Sequence, residues 1–293
     1  MMTSSFVSRR IQVNFALAGG TFGSDPQHRN TKGVSGLRVN CEIKKMGTPA
    51  KNEAKLRIYG MSATDMNQLS TLGINPLAVR KNLIQVLAGD SDGLTTAFQG
   101  EITGAWVNYR TPPDLYFEVH AIAGFYPSIA PIHPTSLPGG VRAANIFQNL
   151  AQQMGAVFQN NGVTAVIQNP YLFGTAFDQA RTLAQTLGIE FGLDDNVLYI
   201  APKGQVRVPK GMVPVVSPST GMKEYPIWDK QGLVVECLFD PLLQLGGSVV
   251  IAGSMVEKAN GTWRIHGLDQ NIAAHDPHQS PWISKLHLAK VGT

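Results

Sequence analysis

The chain has 293 residues, of which 43% are hydrophobic and 15% are charged, and its formal net charge is +4. This length allows two or three domains that each bury a core, and the low charge predicts a surface with extensive protein contacts. No segment approaches the roughly 20 apolar residues of a membrane-spanning helix, and the start lacks a signal-peptide run, so we expect no membrane segment and folding in a cytoplasm.

The first part of the chain alternates apolar and polar residues, as half-buried antiparallel strands do. This pattern covers residues 9–18, 34–46 and 53–59. A loop at residues 19–33, rich in Gly, Asp, Asn and Thr, separates the first two segments and is of the kind that often orders only against a partner.

A short helix is predicted over residues 63–72, with Ser62 or Thr64 as the cap and Gly73 as the end. Strand patterns then resume, with polar turns between them. They cover residues 82–88, 94–109 and 115–125. Together with the earlier strands they predict a barrel or sandwich of about six strands.

A proline-rich link at residues 126–138 predicts a domain boundary. Beyond it, helical spacing and short strand patterns predict a small α/β unit. The helices are predicted at residues 141–155 and 177–187, and the strands at 163–167, 189–193 and 197–200. The polar run Asp194-Asp195-Asn196 predicts a hairpin turn between the last two strands.

From about residue 206 the chain returns to strand patterns, which predict a second β unit. These strands are predicted at residues 232–239, 247–252, 262–271 and 282–289. The whole chain is therefore predicted to be mainly β with a small α/β insert. Its three predicted domains are residues 1–126, 139–204 and 205–293.

The search for chemistry gives mostly exclusions. Cys41 and Cys237 lie far apart in strand-like contexts and are predicted to be buried free thiols. The Gly139-Gly140 and Gly246-Gly247 pairs lack a nucleotide fingerprint and are predicted to be turns. No Gly-x-Ser-x-Gly elbow accompanies the scattered histidines, so a hydrolase triad has no support.

Two polar clusters could carry chemistry, and both are better explained as loops. His275-Asp276-Pro277-His278 could suggest a metal or an acid/base pair, but Pro277 forbids a regular helix there and no further ligand has suitable spacing. Asp194-Asp195 could act as paired carboxylates, yet adjacent residues on a turn are expected to point apart into solvent. We therefore predict no catalytic, cofactor-binding or metal-binding residue and no enzyme activity.

Positive charge is concentrated at the start of the chain. Residues 1–60 carry ten Lys and Arg against three acidic residues, a net +7, whereas the remainder is −3. Such a segment could meet nucleic acid or an acidic protein. A solvated strand face and loop explains it at least as well, because the charges are not interleaved with aromatic residues for base stacking.

Three sequence segments resemble phage baseplate hub proteins, the tail-hub family that includes late control protein D and the hub domains of type VI secretion spikes. They are AKLRIYGMSATDMNQLS at residues 54–70, PSTGMKEYPIWDKQGLVVECLFDPLLQLGGSVVI at residues 218–251, and a closing hairpin formed by residues 261–265 and 282–286. In the first segment Gly60 and Met61 replace the Asn-Leu that is usual in the family.

The resemblance implies two tail-tube-like β-barrels flanking the small α/β domain, which is similar to inserted modules of which some are LysM-like. It implies a homotrimer, a pseudo-sixfold ring that joins the tail tube to the central spike of the baseplate. Its partners would be the tail tube protein, a separate central spike protein, other baseplate subunits and the tape-measure protein. Genomic DNA would pass through the lumen without sequence-specific binding. The implied location is the virion tail, assembled in the host cytoplasm.

Two other functions remain open at this stage. One is a tail component that binds or degrades cell-wall peptidoglycan through the middle domain. The other is non-specific nucleic-acid binding by the basic first 60 residues, although the sequence has neither a recognition helix nor an aromatic platform.

Overall fold

A computed structural model describes residues 9–48, 50–71, 82–110, 112–277 and 281–292. Within these residues the helices are α1 (Ala63–Leu69), α2 (Ala143–Met154) and α3 (Ala176–Leu187). The strands are β1 (Arg10–Ala16), β2 (Thr31–Ser35), β3 (Val39–Met46), β4 (Glu53–Tyr59), β5 (Leu83–Gly89), β6 (Leu94–Asn108), β7 (Tyr116–Ile122), β8 (Thr135–Ser136), β9 (Gly140–Arg142), β10 (Val157–Asn160), β11 (Val166–Gln168), β12 (Tyr171–Leu172), β13 (Ile189–Asp194), β14 (Val197–Pro202), β15 (Val215–Val216), β16 (Ile227–Trp228), β17 (Leu233–Leu238), β18 (Ser248–Ile251), β19 (Gly261–Ala274) and β20 (Trp282–Lys290). The prediction of a mainly β chain is confirmed.

Contacts divide the chain into two units. Unit 1 takes the described parts of Met1–Ile43, Glu53–Ile122 and Gln270–Trp282, and unit 2 takes those of Lys44–Asn52, Ala123–Asp269 and Ile283–Thr293. The three-domain division stays a prediction.

Unit 1 is built on strands in the order β3-β4-β7-β6-β5-β1-β2. Alternation places one face of each strand in the core, so buried residues pair with buried residues across strands. Val13 lies opposite Val86, and Leu56 lies opposite Val119. The strands predicted over residues 53–59, 82–88, 94–109 and 115–125 correspond to β4, β5, β6 and β7.

The segment predicted as one strand at residues 34–46 is two strands, β2 and β3. Gly36 lies between them with a φ of +72°, a left-handed conformation that glycine adopts without strain. β2 also includes the end of the predicted loop.

The rest of that loop makes contacts within unit 1, and the expectation that it orders only against a partner stays a prediction. Phe22 is fully buried, and the Asp25 carboxylate accepts hydrogen bonds from the Arg29 backbone N–H and from Arg29 Nε at 2.7 Å.

Helix α1 begins where the sequence predicts. The Ser62 side chain accepts a hydrogen bond from the Asp65 backbone N–H at 3.2 Å, which is the expected cap. The helix ends at Leu69, before the predicted end. The predicted stop at Leu72 and Gly73 lies outside the described residues.

The α/β part of unit 2 packs α2 and α3 with a three-stranded sheet in the order β10-β14-β13. Both helices end at a left-handed glycine, Gly155 and Gly188, as the sequence suggests. β13 and β14 form the predicted hairpin, and its two turn residues, Asp195 and Asn196, have φ of 48° and 63°. β10 was not predicted, since it is a short strand that pairs in parallel with the distant β14.

The remaining part of unit 2 contains the order β16-β17-β20-β19, with β18 also paired to β19 and β15 paired in parallel to β18. The four strands predicted after residue 206 correspond to β17, β18, β19 and β20. Trp263 is buried in this core and its Nε1 donates to the Ala259 carbonyl oxygen at 2.7 Å. Closure of either β unit into a barrel, and the LysM-like character of the α/β part, stay predictions.

The capping box of α3 gives a test of the local structure. Thr175 accepts from the Asp178 backbone N–H at 3.0 Å, while the Asp178 carboxylate accepts from the Thr175 backbone N–H. We expect Thr175→Ala to lower the free energy of unfolding by about 1 kcal/mol, because the Asp178 backbone N–H loses its capping acceptor and the Asp178 carboxylate loses the Thr175 hydroxyl donor. Thr182→Ala, on the exposed face of the same helix, should leave it unchanged or raise it by a few tenths of a kcal/mol. Urea unfolding of the full chain measures both, and equal losses would contradict the capping role.

Candidate functional site

The Asp194-Asp195 pair lies in a buried ion cluster, so its assignment as a solvated turn is wrong. Asp194 is 0% exposed and the Asp195 side chain is buried. The hairpin between β13 and β14 is present as predicted, but residues 44–52 and 207–210 cover its end. Residues 44–52 are remote from the hairpin in sequence, and residues 207–210 follow it as irregular chain. The local sequence pattern therefore gives no sign that the turn is buried.

Lys45 brings the two carboxylates together. Its side chain is 3% exposed, and its Nζ lies 2.8 Å from Asp194 Oδ1. The same Nζ donates to Asp195 Oδ1 at 2.8 Å and to Asp195 Oδ2 at 2.9 Å. The adjacent carboxylates therefore converge on one ammonium group instead of pointing apart.

Two further cations complete the cluster. Arg207 is buried, and its Nη1 donates to Asp194 Oδ2 at 2.9 Å while its Nε donates to Gln159 Oε1 at 2.9 Å. The Arg207 guanidinium also lies over the Tyr199 ring, 4.7 Å from its centroid. Lys210 Nζ lies 3.2 Å from Asp195 Oδ2 at the half-exposed rim.

Neutral hydrogen bonds hold residues 44–52 against the same hairpin. Asn52 Nδ2 donates to the Leu193 carbonyl oxygen at 3.1 Å and to Asp194 Oδ1 at 3.3 Å. Its Oδ1 accepts from the Met46 backbone N–H at 3.1 Å, and Thr48 Oγ1 donates to the Phe191 carbonyl oxygen at 2.8 Å. Charged and neutral bonds thus tie this segment to β13.

Burial and charge act in opposite directions on the two carboxyl groups. Burial opposes the ionisation of Asp194, but the charges of Lys45 and Arg207 outweigh it and lower the pKa of Asp194. Burial, and after it the charge of Asp194, raises the pKa of Asp195. Burial also opposes the charge on Lys45, yet the two carboxylates raise the pKa of Lys45 overall.

The cluster is suited to holding structure and not to proton transfer. A general acid or base must come within hydrogen-bond reach of a substrate, whereas the Asp194 and Asp195 oxygens are taken by Lys45, Arg207, Asn52 and Lys210. Buried charged side chains whose hydrogen bonds are all made hold their chain segments in one arrangement. Removal of one of these side chains leaves a buried charge on another without its partner.

A cavity of about 370 Å³ adjoins this region of unit 2. Its lining includes the Arg264–Glu190 ion pair, Tyr199 and His266. Gly246 has a φ of +77°, as the predicted turn requires, and also makes room for Tyr199, whose hydroxyl would lie 3.1 Å from a Cβ at that position. Burial, helped by the neighbouring His287 and Arg264, lowers the pKa of His266.

The other predicted clusters behave as loops or inert groups. Asp276 forms an ion pair with Arg38 at 3.3 Å, and His278 lies outside the described residues. Across the described ranges, no group of three His, Cys, Asp or Glu side chains could hold a metal. Cys41 and Cys237 are free and buried as predicted, and burial raises the pKa of Cys237 to about 12.

Several of the basic residues near the start of the chain are neutralised locally. Arg29 pairs with Asp25, Lys32 with Asp65, and Arg38 with Asp276 and Asp114. Lys45 is buried in the ion cluster, contrary to the expectation of a solvated strand face. The excess positive charge of this segment therefore does not translate into an equal excess on the surface.

Unit 1 carries a partly exposed aromatic face on β4, β6 and β7. Trp106 is 41% exposed and packs edge-on against His120, with ring centroids 4.9 Å apart. Beside it, the rings of Tyr59 and Tyr116 lie 5.4 Å apart, and Arg38 and Arg57 stack over them. We call these six residues the aromatic face. Trp, Tyr and Arg are the residues enriched at protein–protein hot spots.

Unit 2 carries a second exposed apolar surface at the short strand β16. Ile227 is 63% exposed and Trp228 is 50% exposed, and β16 pairs with β17 as the end of its strand order. The Trp228 ring rests edge-on against Trp263, 6.0 Å between centroids. Exposed apolar side chains on an edge strand invite pairing with another chain.

No helix in the described part of the chain is both long enough and apolar enough to cross a membrane.

The sequence was compared with known protein families and with curated proteins. Residues 11–279 match the model of a family described as baseplate hub gp41. No curated protein matches the sequence.

Solved structures share the fold at low identity. A tail protein from Neisseria meningitidis MC58 aligns with a TM-score of 0.63 at 11% identity, covering 97% of each chain. The 43 kDa tail protein of prophage MuSo2 from Shewanella oneidensis gives 0.61 at 10% identity, again covering 97% of each chain. A component of the type VI secretion system from E. coli, described as structurally similar to the T4 tail proteins gp27 and gp5, gives 0.55 at 11% identity and covers 87% of this chain and 74% of that one.

The ion cluster predicts that substitution of its two carboxyl groups will destabilise the protein to unequal degrees. Asp194→Asn should lower the free energy of unfolding by about 3–5 kcal/mol, because Lys45 and Arg207 would remain buried without their shared anion. Asp195→Asn should cost less than about 1 kcal/mol, because burial already disfavours this charge and Asn tolerates the left-handed turn position. Urea unfolding of the full chain at pH 7 measures both variants.

Asp194 and Asp195 make the free energy of unfolding depend on pH in opposite directions. Because the pKa of Asp194 is lowered in the folded protein, its ionised carboxylate adds to the free energy of unfolding. This contribution is complete above the ordinary pKa of 3.8 and is lost as the pH falls through the lowered pKa. The pKa of Asp195 is raised in the folded protein, so its contribution to the free energy of unfolding is present at low pH and is lost as the pH rises through the raised pKa. Equal costs for the two substitutions at pH 7 would contradict the assigned roles.

Proposed function

The chain belongs to the baseplate hub gp41 family, and we propose that it forms a homotrimeric ring that joins the tail tube to the central spike of a phage baseplate. As a member of this family it is a structural protein of the virion tail. The ring encloses a channel and is assembled in the host cytoplasm. The family match over residues 11–279 is the observation that carries it.

The exposed apolar surfaces support an assembled role. The aromatic face of unit 1 and the β16 edge of unit 2 present Trp, Tyr, Ile and Arg to solvent in a chain with only 15% charged residues. Copies of one chain that meet through two different surfaces form a closed ring when the rotation between them closes. We assign these two surfaces to contacts between copies of this chain.

The partners follow from the same role. A ring at this position meets the tail tube protein on one side and a central spike protein on the other, together with other baseplate subunits. The fold shared with the E. coli type VI secretion component, which is described as similar to gp27 and gp5, supports the spike as a partner. Tape-measure protein and genomic DNA would pass through the channel.

We propose no catalytic role for this chain. The acidic and basic side chains around Asp194 are largely buried and paired with one another. We expect DNA to pass through the channel without chemistry and without sequence-specific contact.

The oligomeric state tests the ring directly. We expect mass measurement of the purified full chain to give a closed trimer, and a low-resolution image to show a ring with a central hole of duplex width. A stable monomer that digests cell wall, or that binds DNA with strong salt dependence, would contradict the proposal.

A charge at the β16 edge tests the assigned contact. Ile227→Lys should shift the trimer to monomer at concentrations where the unsubstituted chain stays trimeric, because an unpaired charge in an apolar contact is costly. Thr182→Lys, on the exposed face of α3, is the matched control and should leave the mass unchanged. Circular dichroism confirms folding of both. A trimer that persists in the Ile227→Lys variant would place the contact elsewhere.

A further inference from the structure

A long stretch of unit 2 carries no charged side chain. From Ala143 to Phe177 the sequence contains neither Asp, Glu, Lys, Arg nor His, and it contains ten Asn and Gln residues. This stretch includes α2, the short strands β10, β11 and β12, and the turns between them. The polar side chains that this stretch itself offers to a ligand are amide and hydroxyl groups.

Two aromatic rings stand out from this stretch. Tyr171 is 65% exposed and Phe173 is 69% exposed, while Leu172 between them is buried in the core of the α/β part. Alternation along an extended chain places residues i and i+2 on the same side, and the two ring centroids lie 6.2 Å apart with planes tilted by 38°. Leu172 thus anchors a pair of neighbouring rings that point away from the core.

Uncharged polar groups lie beside the pair, and the Asp178 carboxylate, which packs against Gly174 next to Phe173, is paired with Arg181. Ser136, which is exposed, lies opposite Tyr171 in the β8–β12 register. Asn169 is exposed, and its Oδ1 accepts from the Gly139 backbone N–H at 2.7 Å, which leaves the NH₂ of the amide as a donor. Gln168 is also exposed and reaches over Gly140, where a Cβ would lie 2.9 Å from Gln168 Nε2.

This chemistry fits a sugar chain better than the other ligands of aromatic platforms. A sugar ring has an apolar C–H face that stacks on an aromatic ring, and hydroxyl groups that pair with amides and hydroxyls in both directions. Nucleic acid also stacks on aromatic side chains, but its platforms are combined with Lys and Arg for the phosphates, which Ala143–Phe177 does not supply. Asp178 and Arg181, just beyond this stretch, form an ion pair with each other and so offer little net charge to an ionic ligand.

We infer that the Tyr171–Phe173 pair, with Gln168, Asn169 and Ser136 beside it, is a binding surface for an uncharged glycan chain. The rings stack on successive sugar rings, and the amide and hydroxyl groups hydrogen-bond to the sugar hydroxyls. This function is separate from the proposed ring and does not depend on it.

The test is direct binding of the full chain to chitohexaose and to cellohexaose, two neutral β-linked hexasaccharides, by isothermal titration calorimetry. We expect saturable binding to at least one of them, with a Kd that does not change between low and high NaCl. The double variant Tyr171→Ala/Phe173→Ala should raise that Kd at least tenfold. Tyr109→Ala, which removes an equally exposed tyrosine of unit 1, should leave it unchanged.

Three results would overturn the inference: no binding of either sugar by the unsubstituted chain, equal affinity of the double variant, or an affinity that falls steeply with salt. The mass of each variant is measured in the same samples. If the double variant falls from trimer to monomer and the unsubstituted chain binds no sugar, the pair is a protein contact and the glycan surface is rejected. If the chain is monomeric but binds sugar through the pair, the glycan surface stands and the ring fails.

Discussion

The structure of unit 2 depends on the requirement that buried charges keep their partners. Lys45, Asp194 and Arg207 are almost fully buried, and removing one would leave another uncompensated in a medium that solvates it poorly. Each of the three comes from a different part of the chain: β3, the β13–β14 hairpin, and the segment that follows β14. The ion pairs therefore fix the positions of three chain segments relative to one another. Hydrophobic contacts are not directional and would specify these positions less closely.

The cluster also shows where sequence reasoning succeeds and fails. Alternation predicted β4 within its observed bounds, and the polar run Asp194-Asp195-Asn196 predicted the hairpin turn, because both are local consequences of backbone geometry. Burial of the same turn depends on Lys45, about 150 residues away in sequence. A lysine on an alternating strand and an aspartate in a turn each carry the pattern of a solvated residue, and their meeting has no local signal.

The same limit explains the other differences. Gly36 divides a continuous alternating pattern into β2 and β3, since its left-handed backbone interrupts the strand without changing the apolar period on either side. The loop before β2 is held by Phe22 and Asp25, single residues whose partners are set by the three-dimensional arrangement. The resemblance to baseplate hubs, in contrast, could be detected from the sequence because it rests on ordered segments spread along the chain.

A few side chains depart from the usual distribution in which ionic groups are exposed and large apolar groups are buried, and this bears on how the protein works. Ionic groups such as Asp194 and Arg207 are buried, whereas Ile227, Trp228 and Trp106 are about half-exposed. A monomer gains nothing from exposed tryptophan, and an edge strand with exposed apolar residues carries a risk of uncontrolled association. Such residues become favourable when another surface covers them, because the apolar area is then removed from water. The buried ion pairs that fix three segments of the chain and the exposed apolar residues that another surface can cover are thus complementary features of a subunit of a larger assembly.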